Sequence, residues 1–133
     1  MRPHLAVLVV LAACLVASVA VAANDRVNAT FDSFAASGVS GTAMLDPGPN
    51  GEVQIHAALK GLQPGVEYVA LVYSQSTTCG EGTSSFSIVR FQANPAGIAT
   101  WNEKVAKTLP EIESIGIRDV GTDALVACAT VTQ

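Results

Sequence analysis

The sequence predicts an all-β protein: eight short strands folded as a β-sandwich or flattened barrel behind an apolar leader. Three observations carry this. The part after residue 23 shows little helical periodicity. It divides into eight apolar or alternating runs at the roughly 8–12-residue spacing of sandwiches and barrels. The runs are separated by dense turn sequences, Asp46-Pro47-Gly48-Pro49-Asn50-Gly51 and Asn94-Pro95-Ala96-Gly97 foremost.

The 133 residues amount to one domain. Met1-Arg2-Pro3-His4 is short and basic, Leu5–Ala23 is almost unbroken apolar sequence, and the small residues Ala20-Val21-Ala22-Ala23 close it. A charged start, an apolar middle and an Ala-x-Ala end make a secretory signal peptide over residues 1–23, cleaved at Ala22 or Ala23, with the β domain at 24–133. Two other readings would put the chain on a membrane. A retained leader is nearly long enough to span a bilayer. Leu11-Ala12-Ala13-Cys14 matches a lipoprotein box, in which Cys14 would be acylated. Against these, Asn24-Asp25 ends the run as a peptidase site would, and acylation at Cys14 would leave Leu15–Ala23 as an awkward apolar tail. The expected location is therefore the periplasm or the extracellular space, with a lipoprotein anchored through Cys14 as the alternative.

Without the leader, six basic side chains face eleven acidic ones, a net charge of −5. Arg26, Lys60, Arg90, Lys104, Lys107 and Arg118 are scattered. Nucleic-acid binding requires clustered Lys and Arg, so nucleic acid and anionic membrane are excluded as main partners. Export leaves two cysteines, Cys79 and Cys128. In an oxidising compartment an even pair reads as one disulfide. Two free buried thiols, or a thiolate metal site, are the alternatives.

The strands follow in order. Arg26–Phe34 alternates with Val27, Ala29 and Phe31 on one side, and Gly38–Asp46 follows the Ser37-Gly38 break. Glu52–Lys60 is the clearest half-buried strand, with Val53, Ile55, Ala57 and Leu59 facing inward and Gln54, His56, Ala58 and Lys60 outward. Gly61–Gly65 is a corner. Glu67–Gln75 is apolar on both faces, as a central or doubly covered strand is. Ser76–Ser85 is a polar loop holding Cys79. Phe86–Asn94 places Phe86, Ile88 and Arg90 on one face and Val89 and Phe91 on the other. In Ile98–Val105 the spacing of Trp101, Val105 and Leu109 also fits one helical face, but Pro110 would stop a helix there, and strand to Val105 is preferred. Glu113–Arg118 and Ala124–Thr132 complete the set.

Several stretches together resemble the copper/zinc superoxide dismutase family. "SGVSGTAMLDPGPNGEVQIHAALKGLQPG" is similar to its G-x-V-x-G strand, turn, alternating strand and Gly-Leu-x-x-Gly corner. "FQANPAGIATWNEKV" is similar to its D-x-x-G-x-A hairpin, and "LVACATV" to its terminal L-A-C-G-V strand. The resemblance covers nearly all of residues 37–132 and implies an eight-stranded Greek-key barrel. It also implies a pairing of the loop Cys79 with the last-strand Cys128.

The family's metal chemistry is missing from the pattern. Its H-x-H pair, counted from Gly65, falls on Ala70 and Val72. Its zinc loop shrinks to Gly80–Ser85, without a histidine. Its late histidine falls near Ile115–Asp119, where Arg118 is the closest candidate, and its anion-steering arginine falls on Leu125. Chordin-type repeats, with a similar corner, also follow it with histidines that are absent here.

Other chemistries fare no better. His56 is the one histidine after the leader, and a usual metal site needs three or four protein ligands. No G-x-S-x-G occurs, and a serine hydrolase needs a histidine oriented by an acid. Glu111 and Glu113 could pair as acid and base but lie beside Pro110 in a solvated loop. Trp101, Tyr68 and Tyr73 could form an aromatic patch, although such residues more often fill a core. Asn28-Ala29-Thr30 is a glycosylation sequon. The expected function is that of an exported, non-catalytic binding or structural module on a dismutase-like scaffold, with no catalytic, metal or cofactor residues and an unspecified protein or small-molecule partner. The alternative is an atypical metal-handling or dismutase-related enzyme whose ligands come from elsewhere.

The leader generates the first prediction. Exported protein should begin at Ala23 or Asn24 by intact-mass measurement. A start at Cys14 carrying added acyl mass would overturn it.

Overall fold

The computed structural model describes residues 26–81 and 83–133. The expected leader, its cleavage positions Ala22 and Ala23, and Cys14 lie outside the described residues. Eight strands form: β1 (Val27–Ser33), β2 (Ser40–Pro47), β3 (Val53–Lys60), β4 (Glu67–Tyr73), β5 (Ser85–Gln92), β6 (Ala99–Val105), β7 (Ser114–Asp119) and β8 (Leu125–Thr130). Every ladder is antiparallel, and the order is β5-β4-β7-β8-β1-β2-β3-β6. The two end strands, β5 and β6, approach each other, so the sheet nearly closes into a flattened barrel. Side chains rather than a ladder bridge this seam. The Phe91 and Trp101 rings lie 6.5 Å apart, and Lys107 Nζ lies 5.6 Å from the Phe86 ring centre.

Alternation puts one face of each strand inside. Val53, Ile55, Ala57 and Leu59 of β3 are all buried, as are Tyr68, Ala70 and Val72 of β4 and Ile115 and Ile117 of β7. Together with Phe31, Leu45 and Val105 they make one continuous core. Such burial is the main favourable contribution to folding, at roughly 25 cal/mol per Å² of apolar surface. The pairing of β3 with β6, with Val53 opposite Val105 and Ala57 opposite Trp101, resolves the ambiguous period of that segment as strand. A short 3-10 turn, Leu109–Glu111, then follows, with Pro110 inside it.

One expectation about faces is corrected. β5 carries a bulge against β4: Ala70 pairs with Val89 but Leu71 with Ser87, so Ile88 has no partner. Phe86 therefore stands opposite Val72 and shares the inner face with Val89 and Phe91; Arg90 faces outward, and Ile88, unpaired at the bulge, also packs against the core. A bulge inserts one residue and resets the period-2 count, which alternation alone does not reveal.

The corner between β3 and β4 has a specific construction. Gln63-Pro64-Gly65-Val66 closes with a hydrogen bond from Val66 N to Gln63 O (3.3 Å), and Gly65 has φ +81°. Proline then glycine at the central positions is the type II turn pattern, whose third residue needs positive φ. Gly61 is constrained more tightly still. Its φ is +77°, and a Cβ there would lie 2.1 Å from the carbonyl oxygen of Gly38. Buried Leu62 and the Tyr68 hydroxyl, which accepts a hydrogen bond from Gln63 N at 3.0 Å, fasten the corner onto the barrel end.

Phe31 is 1% exposed and lies on β1, between β8 and β2. Phe31→Ala should destabilise the protein by about 3–5 kcal/mol, the usual cost of emptying an aromatic core position. Urea unfolding measures it, and a loss below ~1 kcal/mol would contradict this packing.

Candidate functional site

The outer faces of β4, β7 and β8 are not left to solvent. Leu71 and Tyr73 of β4, and Leu125 and Cys128 of β8, form a second small apolar cluster with Cys79, separate from the barrel core. Residues 74–81, 83 and 84 lie over it. This segment is mostly Ser, Thr and Gly and has little apolar surface of its own, so its position depends on polar and covalent ties. Ser114, fully buried, accepts a hydrogen bond from Cys79 N (3.2 Å) and donates to Ser76 O. Thr130 Oγ1 donates to Thr77 O at 2.7 Å. The Cys79 and Cys128 sulfurs are 2.06 Å apart, a disulfide joining the loop to β8. Cys79 itself has φ +55°, a left-handed conformation unusual for a non-glycine residue.

Gly116 makes this close approach possible. It faces outward on β7, and a Cβ there would lie 2.8 Å from Tyr73 Cε2 and 3.2 Å from both Cys79 Cβ and Leu125 Cδ1. Any larger residue would lift the tyrosine ring and the loop off the sheet.

Two residues further along β7 is Arg118, 6% exposed and the one buried charged side chain among the described residues. Its Nε donates to the Tyr73 hydroxyl at 3.0 Å, Nη1 to the Asp123 carbonyl at 3.0 Å, and Nη2 to the Cys79 carbonyl at 3.4 Å. The Glu81 carboxylate is 3.6 Å from Nη1, on a side chain that is 87% exposed. Burial acts to lower the pKa of this guanidinium. The Tyr73 hydrogen bond, with the charges of Asp123 and Glu81, outweighs it and raises the pKa. The group is therefore a permanent buried cation.

Clefts open on both sides of Arg118. One, of about 380 Å³, is bordered by Leu71, Tyr73, Thr83, Ser85 and Asp123. The other, of about 480 Å³, is bordered by Phe34, Ala35, Thr78, Cys79, Ala124 and Leu125. Arg118, Gly80 and Glu81 line both. Phe34 is 49% exposed, and the two residues after it, Ala35 and Ala36, both take left-handed φ values of 52° and 56°. That turn holds the ring at the rim of the second cleft.

The residues singled out from the sequence fall in several places. Ala70 and Val72 point into the core, so the side chains next to them on the outward face are Leu71 and Tyr73, after Glu67 and Val69. Leu125, where the family pattern places its steering arginine, pairs with Arg118 across the β7–β8 ladder. A guanidinium thus reaches the same surface from the neighbouring strand. His56 lies apart on β3, with Nε2 3.7 Å from an Asp46 carboxylate oxygen that belongs to the same side chain paired with Arg26. Among the described residues no group of three or more His, Cys, Asp or Glu comes together as a metal site would require.

Glu111 and Glu113 do not form an acid–base pair. The Glu111 carboxylate accepts from Thr108 N (2.7 Å) and Thr108 Oγ1 (2.9 Å), a capping arrangement. These two hydrogen bonds, backbone first, together with nearby Lys107 hold its carboxyl below the usual carboxylate range against the slight opposing effect of burial. Tyr68 and Trp101 join Phe91 in the core, whereas Tyr73 lies outside the barrel. The three aromatics therefore make no common patch. Asn28 is exposed on β1. No helix among the described residues is long and apolar enough to cross a membrane.

Sequence reasoning did not find Glu81 and Ser114 as site residues; it weighed Tyr73 only within an aromatic patch with Trp101 and Tyr68, and Arg118 only as a scattered cation near the family's late histidine. Nothing local marks them, because their convergence depends on the loop folding back over β7. No protein-family model and no curated protein matches the chain.

Removing the covalent tie should have a large effect. A loop of this span contributes roughly 4 kcal/mol in the chain-entropy model, so Cys128→Ser should lower the unfolding free energy by an amount of that order. Gly116→Ala should reduce stability further in the disulfide-bonded protein and shift the Tyr73 ring resonances. Thermal unfolding and NMR check the pair, and an unshifted Tyr73 would show that Gly116 is not required for the close approach.

Proposed function

We propose that the chain is an exported, non-catalytic binding module on a scaffold of the copper/zinc superoxide dismutase type, and that its ligand site is the Arg118 cleft. The strand order, with the β3–β4 and β6–β7 connections joining strands that are not neighbours, favours the Greek-key reading. The disulfide is compatible with an oxidising compartment. The leader read from the sequence supports passage through a secretory pathway, to the periplasm or the extracellular space.

One observation carries the reading. A guanidinium occupies the segment where the family pattern calls for a metal-binding histidine. An arginine has five N–H donors and no acceptor, so it cannot ligate a metal ion and would repel one. Around it stand Tyr73, Leu71 and Leu125 rather than imidazoles. This is a site suited to anions and apolar groups.

Purified exported protein should retain copper and zinc well below one equivalent after dialysis. It should consume superoxide no faster than a denatured control, whatever metal is supplied. One tightly held copper per chain, lost in His56→Ala, would overturn the proposal in favour of an atypical metal-handling protein.

A further inference from the structure

We propose that the larger of the two clefts beside Arg118 binds a monocarboxylate with an unbranched apolar tail, the carboxylate on the guanidinium and the tail against Phe34, Ala35, Ala124 and Leu125. The inference deepens the binding-module reading and rests on it.

The headgroup site follows from the hydrogen bonds. Three of the five guanidinium N–H groups are committed, to Tyr73, Asp123 and Cys79. The other two have no hydrogen-bond acceptor among the described residues. All three committed acceptors are uncharged oxygens, a hydroxyl and two carbonyls. Glu81 supplies the nearest negative charge, but at 3.6 Å, outside hydrogen-bond range, and from a side chain almost wholly in water. A buried cation gains most from an anion that accepts its free N–H groups inside the protein. A ligand carboxylate in the cleft would do so, while Glu81 swings away at little cost because exposed ion pairs are weak.

The tail site follows from the walls. At about 480 Å³ the cleft lies in the usual range for small-molecule sites, roughly 300–1,000 Å³. Apart from Arg118, Glu81, Thr78 and Gly80, its walls are Phe34, Ala35, Cys79, Ala124 and Leu125, so apolar groups predominate. Phe34 is one of two large hydrophobic side chains left exposed among the described residues, and it stands on this rim. The left-handed Ala35 and Ala36 hold it there, in a backbone conformation that alanine adopts only under constraint. The smaller cleft has Leu71 and Tyr73 on one side, but Asp123, Thr83, Ser85 and Glu81 make the rest of its wall polar. Size and charge together select a single carboxylate on a short chain over phosphate, whose charge the apolar walls would desolvate without replacement.

Octanoate, 1-octanol and inorganic phosphate, each titrated into the exported protein and followed by calorimetry and amide NMR, test this. Octanoate should bind saturably and shift the amides of Phe34, Ala35, Ala124 and Leu125. Octanol and phosphate should each bind at least about tenfold more weakly, since one lacks the charge and the other the tail. Glu81→Gln should tighten octanoate binding several-fold by removing the competing carboxylate, an effect that a merely structural Arg118 would not produce. Arg118→Gln should abolish it. If that variant fails to fold, the Glu81→Gln result and the octanol comparison still decide. Equal binding of octanoate and octanol, no binding of octanoate, or an unchanged affinity in Glu81→Gln would each overturn the proposal. Failure of octanoate to bind a metal-free protein would sink this inference alone. Stoichiometric copper would sink the reading beneath it.

Discussion

The bond between Cys79 and Cys128 allows a loop of serine, threonine and glycine to lie against an apolar sheet face. Such a loop has almost nothing hydrophobic to contribute, and its ordering carries the full entropic cost of fixing each backbone unit, roughly 1–2 kcal/mol per residue. Hydrogen bonds to Ser114 and Thr130 offset part of this, at about 1 kcal/mol each. The disulfide acts on the other side of the balance, by limiting how far the loop can stray when the chain unfolds. Leu71, Tyr73 and Leu125 stay covered because the loop is held there, and Arg118 stays buried because they are covered.

The burial of Arg118 is what distinguishes this surface chemically. A cation under a protein loop is ordinarily matched by a carboxylate at hydrogen-bonding distance. Here the matching is done by a phenol and two backbone carbonyls, with two exposed acids, Glu81 and Asp123, beyond them. That arrangement keeps the guanidinium in place yet leaves part of it open to the cleft. It also places a buried positive centre in a stretch, residues 24–133, whose formal net charge is −5. Selectivity for an anion in such a protein has to be local, since the overall field opposes it.

The same geometry bears on how the dismutase-like pattern is read. Counting from the corner glycine gives Ala70 and Val72, and both point into the core. Any group displayed by this strand toward the loop must stand one residue away, at Leu71 or Tyr73, since successive side chains face opposite sides of a sheet. Leu125, in turn, lacks the charge the pattern expects, but its ladder partner Arg118 supplies a guanidinium to the same surface. Counting along the chain therefore does not identify the side chains that face the loop.

The sequence by itself determined the eight strands and the turns between them. Val53, Ile55, Ala57 and Leu59 alternate too regularly for anything but a half-buried strand, and Gln63-Pro64-Gly65 admits few backbone conformations. These are local properties, written in period and turn chemistry. Tertiary structure alone decided three other matters. The bulge at Ile88 moved Phe86 to the inner face, because an unpaired residue shifts register without altering composition. The loop folding back over Gly116 turned Tyr73 from a strand residue into a wall of the smaller cleft beside Arg118. Arg118, alike in sequence to any surface arginine, became a buried cation through partners up to 45 residues away along the chain. Long-range contacts of that kind leave no mark on the local sequence, so the strands were legible before the structure and the cleft was not.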